Sequence, residues 1–128
     1  MLRNKLEAEA VLGIIGQCDS GTITLVSSEA LVYEMEQNLL MLRKEHAQAV
    51  LAKANLFVKI EPSVEQRTAI FVKRGIKPMD AVHVALAEAA SVDYFCSCDD
   101  RLLRKLKRMK DLQTKAMSPL ELIEELGI

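Results

Sequence analysis

Short apolar segments alternate with helical segments along this chain, and this alternation limits the folds open to it. Four segments have the length and composition of short buried strands, namely 22–26, 57–60, 94–97 and 114–117. Between them, apolar residues recur with the spacing of helices. Parallel strands need a long crossover connection, which a helix usually supplies. The pattern predicts an α/β fold with a small, mainly parallel sheet flanked by helices, and 128 residues suit a single domain over 1–128.

Capping residues predict where several helices begin. Ser27 or Ser28 follows the first strand and can cap a helix. Ser63 can cap another, with Gln66 at the capping-box position three residues later. Residues 118–121, Ser-Pro-Leu-Glu, offer an N-cap, a first-turn proline and a capping-box glutamate for the last helix.

Carboxylates lie where such a fold would form a site. Asp80 is in the first turn of a helix that opens with Pro78, while Asp99 and Asp100 directly follow the third strand. Glu34 lies in a helix among apolar residues. Sites in parallel sheets form beyond the carboxyl ends of the strands, where clustered carboxylates need a cation or proton. Dipole stabilisation of Asp80 and capping by Asp99 or Asp100 are the ordinary alternatives.

If two or three of these acids meet, they could hold Mg²⁺ or Mn²⁺, which prefer oxygen ligands. A cation in such a site activates water and offsets charge that develops on a phosphodiester, so the predicted reaction class is nucleic-acid hydrolysis. His83 lies one turn after Asp80 between two valines, and is interpreted as a packed, hydrogen-bonded histidine.

The cysteines indicate a reduced, cytoplasmic protein. Cys18, Cys96 and Cys98 are an odd number in a chain without a signal-peptide core or an apolar run long enough to span a bilayer. The Cys-x-Cys spacing lacks the second ligand pair of a zinc ribbon, so buried thiols are favoured over metal ligands.

Basic residues concentrate in one predicted helix, although the formal net charge is only −1. Helical spacing puts several of them on one face, where they could contact nucleic-acid phosphates or form an ordinary solvated surface. The candidate contacts are Arg101, Arg104, Lys105 and Arg108.

The apolar run 39–42, Leu-Leu-Met-Leu, is interpreted as core rather than as a subunit interface.

Three ordered segments resemble the PIN domain, a family of metal-dependent ribonucleases that includes many toxins of toxin–antitoxin pairs. Residues 25–34 are similar to the family's strand–Ser–helix segment with its acid. Residues 78–85 resemble its D-A-x-H-x-A helix, and residues 93–99 its D-Y-x-x-T-x-D signature. The segment 114–118 also fits the family's last strand, so the resemblance covers nearly the whole chain and implies the family's three-layer α/β fold.

The resemblance implies a ribonuclease that uses Mg²⁺ or Mn²⁺, with a possible antitoxin partner and a homodimeric state. It assigns the family's acids to Glu34, Asp80 and Asp99, with Asp100 as a neighbouring carboxylate and Ser97 in support.

One family element is expected to be missing. The family opens with a central strand carrying D-T-N or D-T-S, whereas residues 2–18 here have helical spacing. Loss of one acid would weaken cation binding and impair phosphoryl transfer. The alternative function is therefore a catalytically inactive PIN-like module that binds RNA or protein.

Overall fold

The computed structural model describes residues 2–128, in which one or two helices separate successive three-residue strands. The helices are α1 (Leu2–Asp19), α2 (Glu29–Glu36), α3 (Met41–Leu51), α4 (Pro62–Lys73), α5 (Pro78–Ala89), α6 (Asp100–Lys107) and α7 (Pro119–Leu126). The strands are β1 (Val26–Ser28), β2 (Leu56–Val58), β3 (Tyr94–Cys96) and β4 (Lys115–Met117). The predicted α/β class is confirmed.

The chain forms two compact units, and each contains one parallel strand pair. One unit comprises residues 24–90, and the other, called the terminal unit here, comprises residues up to 23 together with 91–128. In unit 24–90, β1 pairs with β2 in parallel, with Val26 beside Leu56. In the terminal unit, β3 pairs with β4 in parallel, with Cys96 beside Met117. Parallel pairing follows from the helices that connect successive strands.

The core of unit 24–90 lies where α4 packs against α5. Phe71 and Val64 of α4 are buried, as are Ala81 and Val84 of α5. Because alanine and valine are small, the two helix backbones can approach closely. Burial of a side chain such as Phe71, Val64 or Val84 contributes about 1.5–3 kcal/mol relative to an exposed position.

A buried ion pair joins the same two helices. The Arg67 Nε donates a hydrogen bond to the Glu88 Oε1 at 2.7 Å, and the Glu88 side chain is only 6% exposed. The Arg67 guanidinium also lies 4.4 Å from the centre of the Phe71 ring. A buried carboxylate needs a cation or a proton to compensate its charge, and the Arg67 guanidinium of α4 supplies that compensation to Glu88 of α5.

The terminal unit is organised by α6 and α7. The leucines of α6 are buried while its basic residues lie on the opposite side, which is the pattern of a surface helix. Helix α7 contacts α1 and both strands of this unit, and its Leu122 is buried.

Two of the predicted helix starts are confirmed and one is wrong. Ser28 caps α2 through a hydrogen bond from the Leu31 amide, and Ser118 and Glu121 form the predicted capping box of α7. The predicted Ser63 cap is wrong, because α4 begins at Pro62 and has Glu61 at its N-cap position without a side-chain cap. Proline is preorganised for the first helical position, which moves the start ahead of Ser63.

The interpretation of residues 39–42 as core is also wrong. Leu39 is 98% exposed, and Leu40, Met41 and Leu42 are 55–68% exposed. Helix α3 contacts α2 but contributes no buried residue. Two strands of three residues offer little surface for another helix, so this run remains an apolar patch in contact with solvent.

Ser118, which caps α7, and Ser63, which caps no helix, make a matched pair for mutagenesis. Ser118→Ala removes a hydrogen bond to a helix amide, and we expect it to lower the free energy of unfolding by about 1 kcal/mol. Ser63→Ala removes no cap, so the same free energy should change by less than about 0.5 kcal/mol. Urea titration followed by circular dichroism measures both, and equal effects of the two substitutions would contradict the assigned caps.

Candidate functional site

In unit 24–90, His83 of α5 contacts the candidate acid Glu34 of α2. Helix α5 also carries the candidate acid Asp80. Asp80 is half-buried in the first turn of α5, where the helix dipole favours a carboxylate. His83 lies one turn further along the same helix, and its Nε2 is 3.4 Å from the Glu34 Oε2 of α2. Residues one turn apart are neighbours on a helix surface. The structure thus brings Glu34 to the region of α5 that begins with Asp80.

The side chains of His83 and Glu34 differ in how far they are buried. The His83 side chain is only 12% exposed, which confirms its interpretation as a packed histidine, whereas the Glu34 side chain is 55% exposed. A packed imidazole restricts the rotamers of the carboxylate that it contacts. Glu34 therefore contacts a packed side chain on one side and is accessible from solvent on the other.

In the terminal unit, Asp99 has the capping role that was its ordinary alternative. Its Oδ1 accepts hydrogen bonds from the backbone amides of Arg101 and Leu102 at 3.0 and 3.1 Å, at the start of α6. The Ser97 Oγ accepts a hydrogen bond from the Asp99 backbone amide at 3.1 Å. Ser97 thus helps to position Asp99, and Asp99 stabilises the start of the basic helix.

Asp100 is paired with an arginine that sequence analysis did not single out. The Arg3 Nη2 donates to the Asp100 Oδ1 at 2.6 Å, and the Arg3 Nε donates to the Glu7 Oε1 at 3.1 Å. The hydrogen bond to Asp100 is the main cause that raises the pKa of Arg3. The i, i+4 spacing of Arg3 and Glu7 on α1 is readable in the sequence, but the contact of Arg3 with Asp100 joins residues that are distant along the chain.

A cavity of about 240 Å³ in the terminal unit is lined mainly by charged side chains. They include Arg3, Glu7, Asp100, Arg104 and Lys107, and Ser118 lines the cavity as well. Glu7 is buried, and its Oε2 has no hydrogen-bond partner within the described residues. Cations and carboxylates alternate around this cavity, so its charge is largely balanced by the chain itself.

The prediction of buried thiols is wrong for two cysteines, since Cys96 and Cys98 are exposed and Cys18 is half-buried. Cys96 is the last residue of the three-residue strand β3, and Cys98 lies in the bend that follows. Partial burial of the sulfur still raises the pKa of Cys96 to about 11, with smaller effects from Cys98 and Glu7. Burial, followed by hydrogen bonding to Glu7, raises the pKa of Cys98.

The basic helix α6 presents several cations to solvent. Arg101, Arg104 and Arg108 are exposed, and Lys105 is half-buried. Lys107 instead forms an ion pair with Glu121 at 2.6 Å, which is the chief cause that lowers the pKa of Glu121. The contact of α6 with RNA stays a prediction.

Within each unit, the described residues contain no group of three or more His, Cys, Asp and Glu side chains placed to hold a metal ion. Glu34 and Asp80 belong to unit 24–90, whereas Asp99 and Asp100 belong to the terminal unit. The joint assignment of these acids to one metal site stays a prediction.

One of three comparisons with known proteins found a match. The family model of the PIN domain matches residues 1–109, a range that includes every candidate site residue. No curated protein and no solved structure matches the chain. Among residues 2–128, no helix has both the length and the apolar character needed to cross a membrane.

The capping role of Asp99 can be separated from any role in binding a ligand. Asp99→Ala removes the acceptor for two amides, and we expect it to lower the free energy of unfolding by about 1 kcal/mol. Asp99→Ser keeps an acceptor at the N-cap while it removes the carboxylate, so its stability should lie within a few tenths of a kcal/mol of the wild type. Urea unfolding tests both, and a serine variant as unstable as the alanine variant would contradict the cap.

Proposed function

Since the chain belongs to the PIN domain family of nucleases, we propose that it is an endoribonuclease that hydrolyses RNA phosphodiesters with Mg²⁺ or Mn²⁺. The observation that carries the proposal beyond family membership is the contact of Glu34 with His83, one turn from Asp80. It supports a shared acidic face in unit 24–90.

The donor set of this face fits the proposed cation. Mg²⁺ is typically bound by one or two carboxylates and keeps several waters, so Glu34 and Asp80 would be sufficient protein ligands. The bound cation would offset charge on the scissile phosphodiester and lower the pKa of an attacking water. His83 would orient Glu34, since its imidazole contacts that carboxylate.

Asp99 is the third proposed acid, with Asp100 as its neighbour. The cap hydrogen bonds to Asp99 both use Oδ1, so a ligand would take Oδ2. The hydrogen bond to Ser97 would hold the backbone of Asp99 in place. Asp100 is the weaker candidate, because Arg3 already compensates its charge.

The proposed substrate contact is the exposed side of α6. Arg101, Arg104 and Arg108 offer guanidinium groups that bind phosphates through paired hydrogen bonds, and Lys105 adds charge. Such contacts favour RNA without reading its sequence, and they weaken as salt concentration rises.

We further propose that the protein is the toxin of a toxin–antitoxin pair and forms a homodimer. The apolar patch of residues 39–42 supports an interface, because contiguous exposed apolar side chains are unfavourable in water unless a partner covers them.

A second candidate function is a catalytically inactive module that binds RNA. The hydrogen bonds that the Arg101 amide donates to Asp99 and the Arg3 guanidinium donates to Asp100 favour it, because these donors compete with a cation for the same carboxylate oxygens. The basic helix would serve this function unchanged.

Cleavage of generic RNA with and without Mn²⁺ tests the proposed enzyme. We expect Glu34→Gln and Asp80→Asn to lower the metal-dependent rate about a hundredfold or more, since loss of a ligand to the reacting cation raises the barrier by about 2.7 kcal/mol or more. Asp99→Ser should lower the rate similarly while the fold remains intact.

Glu36→Gln is the matched control, since Glu36 is an exposed acid on the same helix as Glu34. Its rate should equal that of the wild type. Unchanged activity in both Glu34→Gln and Asp80→Asn would contradict the assignment of these two acids as metal ligands. A wild type that binds RNA but cleaves none with either metal would favour the inactive module.

Sedimentation equilibrium tests the dimer. The double variant Leu40→Glu, Leu42→Glu places charges in the proposed interface, and we expect its dimer dissociation constant to rise about tenfold or more. Leu12→Glu changes a leucine of α1 that is 68% exposed, away from this patch in the sequence, and should leave the constant unchanged. A monomeric wild type would contradict the proposed dimer.

A further inference from the structure

The exposed thiols of Cys96 and Cys98 flank Ser97, which contacts Asp99, the N-cap residue of α6. Cys96 is the last residue of β3, and Cys98 lies in the bend that follows. Both residues are exposed, and neither takes part in a disulfide. Ser97 lies between them in the chain and accepts the hydrogen bond of the Asp99 amide. A covalent change at these thiols would therefore act directly on the start of α6.

The spacing of the two cysteines permits a bond between them. Residues two apart in an extended chain point to the same side, and their Cα atoms are about 6.6 Å apart. Disulfides are formed at Cα separations of about 4.4–6.8 Å, so the extended distance falls just inside this range.

We propose that Cys96 and Cys98 are a redox modification site, which forms an intramolecular disulfide at the expense of a small-molecule disulfide such as oxidised glutathione. The thiolate of one cysteine attacks a sulfur of the oxidant, whose S–S bond breaks and releases one glutathione thiol. Because the pKa of both thiols is raised, only a small fraction of each is thiolate at neutral pH, and this step is slow. The second cysteine attacks the protein sulfur of this mixed disulfide and releases the second glutathione. The protein loses two electrons and two protons, and the oxidant is reduced to two thiols.

The bond would be easily reversed. It closes a small ring across Ser97 at the upper limit of the permitted geometry, and it lies in contact with solvent. Strained or exposed disulfides have higher reduction potentials than buried structural ones and are the labile class.

Closure of the ring would disturb two hydrogen bonds of Ser97. Its backbone amide donates to the Met117 carbonyl at 3.0 Å, and its Oγ accepts from the Asp99 amide at 3.1 Å. Rotation of the Ser97 backbone to shorten the distance between the sulfurs would weaken both. The cap of α6 then loses support, so oxidation would loosen the first turn of the helix.

The proposal is tested on the whole chain of 128 residues. The reduced protein is incubated to equilibrium with excess oxidised glutathione, digested with trypsin and analysed by mass spectrometry. Cys96 and Cys98 share the peptide 75–101, while Cys18 falls in the separate peptide 6–43. We expect the peptide 75–101 to be lighter by the mass of two hydrogen atoms and to regain that mass with dithiothreitol. Hydrogen exchange at the Arg101 and Leu102 amides should be several-fold faster in the oxidised protein.

One variant removes Cys18 from the experiment, and a second prevents closure of the ring. Cys18→Ser should lose both remaining titratable thiols on oxidation and stay monomeric under denaturing, non-reducing conditions. Cys98→Ser cannot close the ring, so its Cys96 should instead carry a glutathione. The proposal is overturned if peptide 75–101 retains two free thiols, carries glutathione on either cysteine of the wild type, or becomes crosslinked to a second chain.

Discussion

The buried ion pair between Arg67 and Glu88 is the constraint on which the arrangement of unit 24–90 depends. A carboxylate that is almost fully buried must keep its guanidinium, so α4 and α5 can pack in few relative positions. Helix α5 also carries Asp80 and His83, and His83 contacts Glu34. The helix that carries Asp80 and contacts Glu34 is therefore joined to α4 by an ion pair that takes no part in the proposed chemistry.

Asp99 has a structural role as the cap of α6, and the proposed functional role would be additional to it. Its capping hydrogen bonds account for an aspartate at this position without any ligand, and Ser97 has a structural role beside it. A capped helix start is also a rigid place from which to offer a carboxylate oxygen. The structural role therefore does not compete with a functional one as long as the two use different oxygens. The cysteines on either side of Ser97 add a covalent means of changing the same turn.

Predictions from short-range chemistry agreed with the structure where nothing else intervened. The capping box of Ser118 and Glu121 depends on residues three apart and was readable directly. The cap at Ser63 failed because Pro62, its immediate neighbour, is better suited to begin the helix. Predictions of burial failed more widely, since the run 39–42 and both cysteines near the end of β3 are exposed. Apolar character indicates that a side chain prefers a partner, but it does not indicate whether the domain has a surface available to cover it.

The sequence by itself determined the alternation of strands and helices, the family and the identity of the candidate acids, because these depend on local spacing and on the order of short motifs. Only the tertiary structure decided which charges meet. The pairs Glu34 with His83, Arg67 with Glu88 and Arg3 with Asp100 each join residues far apart in the chain. Their partners are selected by packing geometry, which fixes the separation and burial on which electrostatic interactions depend, and no local pattern in the sequence carries that information.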